Sequence, residues 1–164
     1  MTAQHQFNRI AKPFVLSHLL SICAEIQRRF GLRWAEVSRL KKSDIIDGEY
    51  LHFAGAKKSY DRYLHAPDIC EALKPFIGKS QHTRFFTFSY NVYHKYLSNT
   101  TTTTARPGHK KRDVSNQFRV KYFRKLVDHA GKATPSISRA GGHKTNKAIF
   151  YYLDPNTHPQ PERK

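Results

Sequence analysis

"FGLRWAEVSRL", residues 30–40, sets an arginine directly after a Gly-Leu turn and at the head of a helix-like run. Trp34, Val37 and Leu40 recur at helical spacing and face a core, while Glu36 and Arg39 face out. Arg33 occupies the junction where a small polar cap is the ordinary residue. Upstream, "PFVLSHLLSICAEIQRR" (13–29) opens on a proline suited to a first helical turn. Its Leu16, Leu19, Leu20, Cys23 and Ile26 mark an amphipathic helix that ends at Gly31. Downstream, a second helix runs from Trp34 to Lys41, and "SDIIDGEY" reads as a turn. "YLHFAG" and "RYLHAP" alternate as two strands of a hairpin with "AKKSYD" at its tip. "DICEALKPFIG" is helical up to Gly78, and the second half of "FFTFSYNVYHKYLSN" is helical too. "TTTTTARPGHKK" (100–111) is a low-complexity loop. "DVSNQFRVKYFRKLVDHAGK" is a strong helix stopped at Gly131, whose core face holds Val114, Phe118, the Lys121 stem, Phe123, Leu126 and Val127. "TPSISRAGG" is a short helix, "TNKAIFYYLD" a last one, and 156–164 a flexible tail. The sum is a mainly α chain with one small antiparallel β-hairpin, an α+β fold, forming a single domain over 1–155.

The 164 residues suffice for one domain with a core. No stretch approaches eighteen apolar residues and no signal-peptide pattern opens the chain, so a soluble protein of the cytoplasm or nucleoid is expected. Cys23 and Cys70 lack metal-ligand spacing and read as small core residues. Charge is the dominant signal: 29 Lys and Arg against 12 acidic residues give +17. Between Ala105 and Lys147, twelve basic residues meet only Asp113 and Asp128, so this stretch carries 12 − 2 = +10. Such a field concentrates polyanions, and nucleic acid is the expected partner. A membrane surface is disfavoured, since no long basic helix with a broad apolar face is present.

Three motifs occur in order. "GLRWAEVSRL" is similar to the Gly-Leu-Arg-x-x-Glu-x-x-x-Leu signature of the tyrosine recombinase (phage integrase) family. "GAKKSYDR", whose Lys57 stands 24 residues after Arg33, resembles that family's β-hairpin, and "GHKTNKAIFYYL" resembles its Gly-His followed nine residues later by tyrosine. The resemblance spans about residues 13–155 and implies a recombinase-like catalytic domain. By it, Arg33 grips phosphate, Lys57 or Lys58 acts as general acid, His143 donates a hydrogen bond, and Tyr152, or its neighbour Tyr151, is the nucleophile. The family's His-x-x-Arg has no direct counterpart. "KYFR" supplies Lys121 and Arg124, nineteen residues before His143, and "TPSISR" offers Ser136 and Arg139 as the rival; spacing favours Arg124.

These residue types suit strand cleavage by transesterification. A phenol of pKa near 10 yields its anion in a cationic pocket and forms a phosphotyrosine that conserves the bond for rejoining. Two guanidiniums match the non-bridging oxygens and act most strongly as charge builds in the transition state. The resemblance implies duplex DNA as substrate, a 3′-phosphotyrosyl intermediate, four protomers on two sites, and no metal or cofactor. Family members usually carry a separate clamp domain before this one. The competing expectation is a recombinase-like DNA-binding protein without chemistry; a basic RNA-associated protein is the third.

Overall fold

A computed structural model describes residues 3–55, 60–100, 114–143, 147–150 and 152–153, the side chains of 3–14, 114, 147 and 148 aside. Lys57, Lys58, Tyr151, nearly all of the 100–111 loop and the tail therefore lie outside the described residues.

Helix α1, Ala3–Phe30, starts ten residues before the sequence pattern suggests and carries Pro13 in its interior. Proline there removes one amide donor from the ladder. Among the described side chains Leu20, Cys23 and Ile26 form its core face; Leu16, assigned to that face by spacing, is exposed. Helix α2, Trp34–Val37, is one turn long and stops short of Lys41. The chain leaves the helix because another segment claims it. Leu40 accepts the Phe85 amide at 3.0 Å, and Lys41 bridges Arg84. Trp34 stacks on Tyr93 and Phe88 from half-buried ground.

Where a turn alone is expected, the chain adds a strand. A 3-10 turn, Lys42–Asp44, leads into β1 (Ile45–Ile46), followed by β2 (Tyr50–Phe53) and β3 (Arg62–His65) in an antiparallel sheet of order β1-β2-β3. Asp47 and Gly48 both have positive φ, 53° and 70°. That is the backbone demanded by a tight hairpin turn, and Asp-Gly supplies it. Leu51 and Phe53 turn into the core, while the Tyr50/His65 and His52/Tyr63 pairs occupy the open face.

Helix α3, Pro67–Leu73, gives way at Pro75 to a 3-10 turn, Lys74–Phe76. Helix α4 is Tyr90–Thr100 and α5 is Val114–Ala130, ending at Gly131 as the sequence indicates. Thr134 caps α6 (Pro135–Ala140), its hydroxyl accepting the Ile137 amide at 3.3 Å. Helix α7 is only Lys147–Phe150, and Tyr152 sits in the turn beyond it.

Two apolar clusters result. The larger joins α1, α2, the sheet, α3 and α4, with Phe118 of α5. The smaller holds Phe123 and Val127 of α5, Ile137, Ile149 and Leu153. Helix α5 is thus a wall between them. The chain is mainly helical with a small antiparallel sheet, as the pattern predicts. Among the described residues no helix is long and apolar enough to cross a membrane.

Candidate functional site

The Gly31-Leu32-Arg33 turn is fixed from three directions. Gly31 has φ +63°, and a Cβ there would run into the Tyr122 ring, so only glycine fits on both counts. Its carbonyl accepts Nη1 of Arg119 at 2.5 Å. The next carbonyl, Leu32, accepts Nε2 of Gln27 at 3.0 Å. Gln27 is fully buried and also joins Ser115 and the Tyr93 hydroxyl, at 2.9 and 2.5 Å. Arg33 then takes the N-cap position with extended backbone. Its amide donates to the Glu36 carboxylate at 2.7 Å, the reach-back half of a capping box. The arginine side chain is consequently free of capping duty and lies exposed.

Glu36 does not face out as its sequence position suggests. Its carboxylate is 10% exposed and pairs with the guanidinium of Arg62 on β3, itself 5% exposed.

Across the seam from the turn stands Arg119 of α5, 1% exposed. Its Nε donates to the Tyr152 hydroxyl at 2.8 Å, and Nη2 donates to the Gly141 carbonyl at 3.2 Å and to Nε2 of His143 at 2.7 Å. The guanidinium carbon lies 4.9 Å from the Phe123 ring centre and 5.3 Å from that of Tyr152. Burial lowers its pKa, Tyr152 opposing and Arg33 adding to the fall. An arginine stays cationic regardless.

Because a guanidinium only donates, His143 Nε2 must accept, which assigns the ring's proton to Nδ1. Burial first, then the charges of Arg119, Arg33 and Arg62, lower its pKa to about 4 against the pull of Glu36. The imidazole is therefore neutral at pH 7. Its Nδ1 is buried with no hydrogen-bond partner among the described residues.

Tyr152 is held at both ends. Its hydroxyl meets Arg119, its carbonyl accepts Nε of Arg124 at 3.0 Å, and its ring stacks on Phe123 at 5.0 Å and faces His143 at 6.1 Å.

Of the residues singled out from sequence, His143 and Tyr152 meet, with Arg33 close enough to act electrostatically on His143 and Arg119. Arg124 reaches Tyr152 at its carbonyl rather than its hydroxyl, and the guanidinium at the phenol belongs to Arg119. Lys121 is exposed. Two residues past Arg119, it points about 200° around the helix, away from the site and with no buried stem. Arg139 and Ser136 are exposed as well. Two signals mark Arg119. It stands 24 residues before His143, and it shares an α5 stripe with Phe123, Leu126 and Val127, where a charge is out of place unless it has partners. Among the described residues no group of three or more His, Cys, Asp or Glu is placed to hold a metal ion.

The assembly sets a buried cation against a phenolic oxygen and a neutral imidazole, with an exposed arginine near enough to act on both electrostatically and able to grip an anion. No family model matches the chain, and no curated protein is significantly similar to it.

Proposed function

We propose that the chain is the catalytic domain of a tyrosine-recombinase-type enzyme that cuts and rejoins duplex DNA through a 3′-phosphotyrosine. The observation that carries this reading is the meeting of three separate parts of the chain at the Arg119 guanidinium, which donates to the Tyr152 hydroxyl and to the His143 ring and feels the charge of Arg33. In this reading Arg33 holds the non-bridging oxygens of the scissile phosphate, and His143 braces the Arg119 fork through Nε2. Arg119 stabilises the phenolate as the tyrosyl oxygen bonds to phosphorus and its proton passes to water. The 5′ oxygen leaves with a proton from Lys57 or Lys58. Arg119 takes the place that the motif spacing gave to Arg124, whose part is to hold the Tyr152 main chain. The +17 charge favours nucleic acid as the partner, and the family resemblance implies duplex DNA with protomers assembled on paired sites.

A nicked duplex whose cleaved fragment diffuses away traps the intermediate. The expected result is a covalent protein–DNA adduct that disappears in Tyr152→Phe, with duplex affinity retained. A second reading, a DNA-binding protein of the same fold without chemistry, draws on one observation. Four of the five Arg119 N–H groups are already engaged by the protein, which leaves little for a phosphate. Salt-sensitive duplex binding with no adduct would establish that reading instead.

A further inference from the structure

The Glu36–Arg62 pair is buried, yet a buried ion pair seldom earns its place by stability alone, since apolar residues of similar size often serve as well. What distinguishes this pair is its connections. One Glu36 oxygen takes the Arg62 guanidinium, and the other takes the amide of Arg33 at 2.7 Å. From the far side, Arg62 Nη1 lies 3.5 Å from the Ala140 carbonyl. Its Nε would stand 3.2 Å from a Cβ built on Gly142, so guanidinium and glycine backbone are in close apposition. Two residues before Arg62, the Tyr60 amide donates to the Gly142 carbonyl at 3.1 Å. The next residue after Gly142 is His143. Three separate segments, 33–36, 60–62 and 140–143, thus meet at one guanidinium, distinct from the Arg119 guanidinium at the phenol.

We propose that Arg62 is a positioning residue: by pairing with Glu36 and backing the Ala140–Gly142 turn, it sets the Arg33 backbone and the His143 ring in register with each other, and locks strand β3 to both. Only the activity measured below rests on the recombinase reading; the coupling itself does not. Charge and geometry separate cleanly at this residue. Lysine keeps the charge but loses the planar fork that reaches two partners, and methionine loses both.

The test uses the full chain with Arg62→Met and Arg62→Lys. Amide exchange and imidazole titration followed by NMR report the coupling without any substrate. The Tyr60 amide should exchange about tenfold faster or more in both variants while amides in α4 stay unchanged, the mark of a local opening. The His143 midpoint, about 4 in the parent, should rise in Arg62→Met, because a positive neighbour is lost and Glu36 is left unopposed. It should stay low in Arg62→Lys. Single-turnover adduct formation on the nicked duplex should fall about tenfold or more in both variants, as small misplacements of reacting groups do, with duplex affinity unaltered.

Unchanged Tyr60 exchange and an unchanged His143 midpoint in a folded Arg62→Met protein would overturn the proposal. Faster exchange with an unaltered adduct rate would overturn it too, since the pair would then hold structure without positioning the site. If Arg62→Met does not fold, Arg62→Lys decides by the Tyr60 and adduct readings, and loss of folding in both makes the pair merely structural. If the parent protein forms no adduct, the recombinase reading fails, and the exchange and titration arm still decides whether Arg62 couples the three segments.

Discussion

Among the described residues the guanidinium of Arg119 has no carboxylate against it, and its charge is spread over two carbonyls, a phenol, an imidazole and two ring faces. That arrangement dictates how its neighbours titrate. His143 is held neutral, with a pKa of about 4 in place of the usual 6.5, chiefly by burial and next by Arg119. The unfolded chain therefore binds a proton between pH 6.5 and 4 that the folded protein refuses, and folded stability must fall as pH drops through that window. The full effect is about 3 kcal/mol. Urea unfolding of the parent between pH 7 and 4.5 should show a steeper loss than His143→Gln, which has no such proton to exclude. Gly31 makes the complementary case for backbone. Gly31→Ala must adopt a positive φ and displace the Tyr122 ring. A loss of at least about 2 kcal/mol in urea unfolding is expected, with adduct formation on the nicked duplex falling further than stability alone explains.

Among elements, α5 and α1 carry the polar interior. Gln27 of α1 binds the Leu32 carbonyl, Ser115 of α5 and Tyr93 of α4, all from a fully buried position. Gln27→Ala would take a buried partner from the Leu32 carbonyl and from the Ser115 and Tyr93 hydroxyls, for an expected loss of about 2–4 kcal/mol in chemical denaturation. Ser115→Ala, which leaves Gln27 its other partners, should cost about 1 kcal/mol. None of this could be read from the sequence, where Gln27 looks like one more polar residue near a helix end. Apolar spacing did reveal α5 and its stop at Gly131, because a long stripe and a glycine are local signals. It misplaced the boundaries of α1 and α2, which depend on partners elsewhere. The α2 helix ends early because Leu40 and Lys41 pair with Phe85 and Arg84, and strand β1 exists because β2 is beside it. The arginine at the phenol was missed for a related reason. Arg119 stands next to Phe118 in the apolar register of α5, and spacing rules name the stripe without saying which buried cation has found enough acceptors to stay there.

For the whole molecule, +17 over 164 residues is a self-repulsive load. Among the described residues the ion pairs are few and mostly at the surface, apart from Glu36–Arg62. Folded stability should accordingly rise as salt is raised from about 50 mM to 0.5 M, where the screening length shortens from about 14 Å to about 4 Å. Thermal unfolding over that range checks it. Duplex binding should weaken over the same range, so the two salt responses run in opposite directions. The fold class, mainly helical with a small sheet, was legible in composition and periodicity. The meeting of Gly31, Arg119, Gly141, His143 and Tyr152 was legible only in part, through two motifs at opposite ends of the chain, because the contacts that join them are made by backbone carbonyls that carry no sequence signature.

Arg119 fastens the turn at Gly31 to the turn at Gly141 across the boundary of the two apolar clusters, and it does so with the same fork that touches the phenol. Reactivity and assembly therefore hang on one peg. A small guanidinium salt diffusing into an Arg119→Ala protein could return the missing electrostatics to Tyr152, yet it would leave the two halves of the chamber without their shared rivet.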